Sequence, residues 1–315
     1  MIAIAHPMQA LVKYHGLRDW RLRIPYHDSI SVNMDALWTE TSVEFAEEDR
    51  AVINGETVAG KQFERILAVV NKVRGLAGVK EKISIVSENS VKYSEAKGLG
   101  FSSSAGAALA AALFKLIKLD KKFGWNLREI SKIARLFSGS ACRSAVGGYA
   151  IWHAGGDDTS SYAERIADEP EMGIVIVPLQ SDGRTEEAHL DVESSPFFDA
   201  RIRSASKRVK EMRKAIKTKD LKRVMELAEI DSLELHALTM TGRRGLVAYK
   251  PESIQIMGEI RRMREEGTEA YFSMQTGPSV FVNTYPEDVK KVRRRIGELE
   301  LKTIVSSVGG EVRIV

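Results

Sequence analysis

Apolar residues at Phe63, Ile66, Leu67, Val70 and Val73 repeat every three to four positions, which predicts an amphipathic helix. The same period runs through Leu127 to Phe137, and through Ile202, Ala205, Val209, Met212 and Ile216. Further helices are predicted from Leu221 to about Leu235, from Ser253 to Met263, and along Val289, Val292, Ile296 and Leu299. Short β-like runs lie around Val12 and Tyr14, at Ser29–Val32 and at Ile83–Val86. Thr41–Phe45 and Ala51–Glu56 read as a hairpin closed by Asn54-Gly55. Gly173–Leu179 is continuously apolar, as a buried strand is. Ala270–Met274 and Ser279–Thr284 predict strands around the turn Gln275-Thr276-Gly277-Pro278, and Thr303–Val305 and Val312–Val315 close the sheet. Helices and strands alternate without a strict βαβ rhythm, so the class is α+β. The texture changes near Gly173–Leu179, which divides the chain into residues 1–178 and 179–315.

One stretch departs from these periodicities. Lys97 to Gly106 is rich in glycine and serine and runs directly into the strongly helix-forming Ala107–Leu113. A tight turn opening onto a helix N-terminus offers unpaired N–H groups and a favourable dipole to an anion, phosphate above all. A glycine-rich start to a buried helix explains the same residues equally well. Neither the P-loop spacing nor a G-x-G-x-x-G fingerprint is present here. The small-residue run Ser138 to Tyr149 carries Arg143. It reads either as a close helix contact or as a second anion clamp built on a forked guanidinium. Asp157 and Asp158 belong to a polar loop that reads first as a solvated turn and second as a magnesium site. Lys13 to Asp28 is a basic, aromatic loop, either plain surface or a ligand wall.

Composition narrows the picture modestly. The 315 residues are 43% apolar and 29% charged, with a net charge of +4, which suits an anionic metabolite as well as it suits nucleic acid. A lone cysteine, Cys142, excludes internal disulfides and cysteine-based metal sites and fits a reducing, cytoplasmic interior. Met1 to His6 shows no signal-peptide pattern, and no apolar run is long enough to span a bilayer.

Four segments together resemble the mevalonate-diphosphate decarboxylase family, a branch of the GHMP small-molecule kinases. They are Lys13-Tyr14-His15-Gly16, Ile24-Pro25-Tyr26-His27-Asp28-Ser29-Ile30-Ser31, Gly100-Phe101-Ser102-Ser103-Ser104-Ala105 and Ser138-Gly139-Ser140-Ala141-Cys142-Arg143-Ser144. Tyr-His-Gly, Pro-Tyr-His-Asp-Ser-Ile-Ser and Thr239-Met240-Thr241-Gly242 are similar to the archaeal phosphomevalonate decarboxylase type. The resemblance implies two lobes with an active site in the cleft between them, and ATP with Mg2+ as cofactors. It also implies decarboxylation of a phosphorylated mevalonate to isopentenyl phosphate and CO2, a homodimer by analogy, and neither nucleic acid nor membrane as partner. By that resemblance Gly100, Ser102, Ser103 and Ser104 hold phosphate, and Tyr14, His15, Ser138, Ser140 and His189 hold the substrate. Arg143 pairs with its carboxylate, and no resident metal ligand is implied. Arg143, Gln275 and Ser104 are the residues expected to carry the chemistry.

Two departures stand out. Leu17 occupies a position where the diphosphate-using members carry lysine, and Gln275 stands where they carry aspartate. Glutamine can orient a hydroxyl but takes no proton near neutral pH. The alternatives are therefore a 3-kinase without decarboxylation, an ATP-independent lyase of mevalonate 3,5-bisphosphate, and a non-catalytic sensor of an isoprenoid intermediate.

Overall fold

The helix that follows the glycine loop is apolar on nearly every side: Ala107 to Phe114 are all buried. Such a helix belongs in the middle of a layer, and the computed structural model places it there. The structure describes residues 1–91, 98–180 and 185–315, so Lys97 lies outside the described residues. In chain order the elements are β1 (Ile2–Ala5), β2 (Met8–Val12), β3 (Ser29–Asn33), β4 (Thr39–Ala46), β5 (Arg50–Ile53), β6 (Glu56–Thr57), α1 (Gly60–Ala77), β7 (Lys82–Asn89), α2 (Phe101–Leu116), α3 (Asp120–Phe123), α4 (Leu127–Phe137), α5 (Ala141–Val146), β8 (Tyr149–His153), β9 (Tyr162–Ala167) and β10 (Gly173–Val177). After these come α6 (Thr185–Asp191), α7 (Phe198–Lys217), α8 (Leu221–Met240), α9 (Pro251–Glu265), β11 (Ala270–Met274), β12 (Val280–Thr284), α10 (Val289–Gly297), β13 (Ile304–Ser306) and β14 (Arg313–Ile314).

Three sheets result, with strand orders β14-β1-β4-β7-β5-β6, β2-β3-β8-β9 and β11-β12-β10-β13. Helices α1, α2 and α4 cover the first sheet and share its core with Ala3, Val43, Ile83 and Ile85. A second core joins the other two sheets: Leu11, Ile30 and Val32 meet Ile174, Ile176 and Phe281 together with Met212, Val224 and Met225 of α7 and α8. This shared core welds the end of β2 to α8 and β11.

The α+β class and most predicted elements are present, but two details differ. The Asn54-Gly55 turn closes β5 on β6, while β4 pairs with β1 and β7 and β5 runs parallel to β7. Local turn chemistry was right; the partner of β4 is set by a strand that lies far along the chain. The C-terminal strands part company, β13 joining β10 and β14 returning to β1. β10 pairs with β12 and β13, both of which follow it in the chain.

Candidate active site

Lys13 follows directly on the buried strand β2 and is itself 3% exposed. A charge so placed must be partnered. Its Nζ donates to Ser273 Oγ at 2.9 Å and lies 3.8 Å from Asp231 Oδ2, which also accepts the Lys13 backbone N–H at 2.9 Å. Asp231 in turn meets Arg201 at 2.8 Å and Arg208 at 3.1 Å through its other oxygen. Burial alone would raise the Asp231 carboxyl, but Arg201 and Lys13 outweigh it and hold the group below its ordinary value. Burial pulls Lys13 down to about 8, with Arg201, Arg208 and Arg143 pushing in the same direction. One buried carboxylate thus lies among Lys13, Arg201 and Arg208, with Arg143 near enough to act on it.

Arg143 is different, because it has spare capacity. It sits in the short helix α5, 1% exposed, and its Nε and Nη1 have no hydrogen-bond partner. Its guanidinium carbon lies 5.7 Å from the Tyr14 ring centroid and 6.0 Å from that of Trp152, and the two rings meet edge to face at 4.9 Å. Gly139 is needed there: a Cβ on it would fall 2.7 Å from the Tyr14 hydroxyl and 2.9 Å from Trp152. On either side of that glycine, the hydroxyls of Ser138 and Ser140 are 3.0 Å apart.

The other side of Tyr14 is a histidine wall. His189 of α6 stacks on Tyr14 at 5.0 Å and on His15 at 4.3 Å, and its Nδ1 accepts the Gly16 backbone N–H at 3.2 Å. Burial, then His189 and Arg201, hold His15 well below the usual histidine range. The Thr239–Gly242 segment secures this wall from behind. A Cβ on Gly242 would collide with Asp191 at 2.4 Å, and Asp191 accepts the Arg244 backbone N–H at 3.1 Å.

The glycine loop reaches the same region. Gly98 and Gly100 adopt φ of 98° and 84°, and a Cβ on Gly98 would touch Gly277 and Ser279, both 3.7 Å away, just past Gln275. A Cβ on Gly100 would press on the Met8 carbonyl at 3.0 Å. The hydroxyls of the three serines divide. Ser102 is exposed. Ser103 donates to the Gly100 carbonyl at 2.6 Å and accepts from Ser144 at 2.9 Å, and Ser104 is 2.6 Å from Thr39 Oγ1. The Ser103 and Ser104 hydroxyls therefore brace the start of α2 in this structure. Gln275 closes the region, with its Nε2 buried and unpartnered.

Asp157 and Asp158 lie elsewhere and have their own partners. Asp157 accepts from the backbone of Thr159 and Ser160, and Asp158 pairs with Lys72 at 2.7 Å and with Arg135. Among the described residues no cluster of three His, Cys, Asp or Glu side chains could hold a metal ion. Magnesium would fit here as a counter-ion of nucleotide phosphates, which is how it commonly binds. The positive-φ glycines lead into a helix N-terminus at which Ser102 is exposed, chemistry that suits an anion such as phosphate.

Sequence reasoning passed over Lys13, Arg201, Asp231 and His236 as site residues. A lysine directly continuing an apolar strand was the available signal for the first. The others look like ordinary polar residues of long helices until the strand they face is known.

Comparison with known proteins bears on the whole chain. Residues 5–163 match the model of the diphosphomevalonate decarboxylase-like N-terminal domain, and residues 180–304 that of the mevalonate 5-diphosphate decarboxylase C-terminal domain. The phosphomevalonate decarboxylase of Haloferax volcanii is 41% identical over 318 residues, covering 99% of this chain and 96% of that one. The mevalonate diphosphate decarboxylase of Staphylococcus aureus superposes with a TM-score of 0.92 at 30% identity, covering 100% of this chain and 97% of its own. A related structure in complex with MVAPP, AMPPCP and magnesium gives a TM-score of 0.90 at 29% identity, covering 100% and 98%. The chain belongs to the diphosphomevalonate decarboxylase-like family, with its GHMP-kinase-like α+β fold.

Proposed function

We propose that this protein decarboxylates a phosphorylated mevalonate, most simply the 5-phosphate, using ATP with Mg2+ and releasing isopentenyl phosphate and CO2. The observation that carries the reading is the Arg143 guanidinium, buried beside two aromatic rings with Nε and Nη1 unpartnered. A buried cation in that state is costly unless an anion joins it, and a carboxylate suits its fork. Ser138 and Ser140 flank the glycine that packs on Tyr14, and His189 stacks on both Tyr14 and His15. The 41% identity to a phosphomevalonate decarboxylase and the likeness to a complex holding AMPPCP and magnesium support the substrate class and the nucleotide.

In this reading Arg143 binds and orients the substrate carboxylate. Gly100 and Ser102 with the first amides of α2 receive the phosphates, and Ser103 and Ser104 hold that turn in shape. ATP supplies the phosphoryl group that turns the C3 hydroxyl into a leaving group. Leu17 removes a cation that a second substrate phosphate would need, which favours a monophosphate. A homodimer is part of the reading by family analogy. A cytoplasmic setting is also part of it, resting on the single buried Cys142; no helix of the described residues is long and apolar enough to cross a membrane.

Gln275 favours a second reading, phosphorylation at C3 without decarboxylation, because a neutral amide neither takes a proton nor stabilises a developing cation. The test offers mevalonate, its 5-phosphate, its 5-diphosphate and its 3,5-bisphosphate, each with and without ATP-Mg, and follows ADP and CO2. ADP and CO2 together from the 5-phosphate support the proposal. ADP alone supports the kinase, and CO2 from the bisphosphate without ATP supports a lyase that needs no nucleotide.

A further inference from the structure

Gln275 leaves a substrate hydroxyl without a proton acceptor at its own position, but a buried imidazole stands beside it. His236 belongs to the part of α8 that packs along β11. One turn earlier, Ser232 Oγ accepts the backbone N–H of Met274 at 2.9 Å, the residue that precedes Gln275. The His236 ring is 1% exposed, with one nitrogen turned to the Gln275 main chain and the other without a hydrogen-bond partner. The Gln275 main chain and Lys13 both act on it. Tyr249 lies across the ring with centroids 4.8 Å apart. Gln275 Nε2 is also buried and unpartnered. A ring nitrogen of His236, beside Lys13 and the Gln275 main chain, and the Gln275 amide thus each keep unused hydrogen-bonding capacity, which native interiors seldom tolerate unless something polar reaches them.

Resting on the decarboxylase reading above, we propose that His236 is the general base of this site, its neutral imidazole accepting the proton of the substrate's C3 hydroxyl. The O–H bond breaks and leaves its electron pair on oxygen, while the proton forms an N–H bond on one ring nitrogen. That oxygen bonds to the γ-phosphorus of ATP, and the bond from this phosphorus to the β–γ bridging oxygen breaks, so ADP departs with the electron pair. The imidazolium returns its proton to solvent as products leave.

The surroundings keep the base unprotonated. Burial holds His236 down to about 4, and Lys13 pushes in the same direction. The titratable groups facing it are Lys13 and His15 from the end of β2 and Tyr249 from the segment before α9. An anionic substrate beside the ring raises its basicity when it is needed.

The experiment measures kcat, KM and substrate affinity with mevalonate 5-phosphate and ATP-Mg for the intact chain, for His236→Gln and His236→Phe, and for His236→Gln combined with Gln275→Asp. A lost base should lower kcat by about 10²- to 10⁴-fold with calorimetric affinity for the 5-phosphate little changed. Gln275→Asp should then recover at least about tenfold of the loss, because a carboxylate can take the proton in its place. If His236→Phe does not fold, His236→Gln and its rescue decide the matter. An unaltered kcat in His236→Gln, or a loss that Gln275→Asp does not relieve, overturns the assignment. A wild-type chain that turns over no phosphorylated mevalonate overturns the preceding reading instead.

Discussion

Ser144 donates its hydroxyl to the Ser103 hydroxyl at 2.9 Å, tying the helix that carries Arg143 to the first turn of the helix behind the glycine loop. Ser103 donates its own hydroxyl to the Gly100 carbonyl at 2.6 Å and also accepts the Met8 backbone N–H at 3.3 Å. One buried hydroxyl therefore serves three elements.

Ser103→Ala would strand two donors at once. The expected loss of folding stability is about 1–3 kcal/mol, read from urea unfolding. Ser102→Ala, at an exposed position, should change stability by less than about 0.5 kcal/mol while weakening nucleotide binding in calorimetry. Equal effects of the two substitutions on stability would contradict the assigned roles.

Arg143 and Asp231 should behave in opposite ways. Asp231 is fully buried among Lys13, Arg201 and Arg208; Asp231→Asn takes the carboxylate from buried Lys13, while Arg201 and Arg208 keep Glu234, and should cost about 3 kcal/mol. Arg143 has burial without a matching anion, so Arg143→Met should leave the ligand-free protein as stable as before, or more so. Turnover should nevertheless collapse. Thermal unfolding with and without substrate separates the two cases.

Stability should fall with acid in two stages. His236 and His27 are both held down to about 4 by burial, below the value of about 6.5 for an unfolded histidine. A depressed folded pKa gives stability that is present above the unfolded value and lost as pH falls through the folded one. The loss should therefore begin near pH 6.5 and grow toward pH 4, on the order of 1–3 kcal/mol for each histidine. Asp231, also depressed, adds its loss only below about pH 4. Urea unfolding from pH 7 down to about pH 3 checks this, and His27→Phe or His236→Phe should flatten the upper part of the curve.

Gly139→Ala tests the wall around Arg143. Its Cβ would lie 2.7 Å from the Tyr14 hydroxyl, so Tyr14 must shift away from Trp152. Overpacking of this kind costs about 1–3 kcal/mol, and kcat/KM should drop through KM. An unchanged KM would remove Tyr14 from the substrate wall.

Much of this was legible beforehand because it is local. The glycine-to-alanine transition marked the start of α2, apolar periods marked α1, α4 and α7, and Asn54-Gly55 marked a real turn. What was not legible depends on distant partners. Nothing near Arg313 says that β14 will pair with β1. Asp231 and His236 sit on a helix that looks amphipathic in the ordinary way, and their chemistry appears only when Lys13 and Gln275 come to face them. The Ser103 and Ser104 hydroxyls illustrate the converse: serines beside a glycine loop suggest a phosphate site, but burial turns these two inward to hold the turn.

The most direct measurement titrates wild type and Arg143→Gln with mevalonate 5-phosphate and with isopentenyl phosphate, which lacks the carboxylate. Wild type should prefer the carboxylate-bearing ligand by about 2 kcal/mol or more, the scale of a charge-assisted hydrogen-bonded pair, and Arg143→Gln should erase that preference while still binding both. A preference that survives the substitution unchanged would contradict the pairing of Arg143 with the substrate carboxylate.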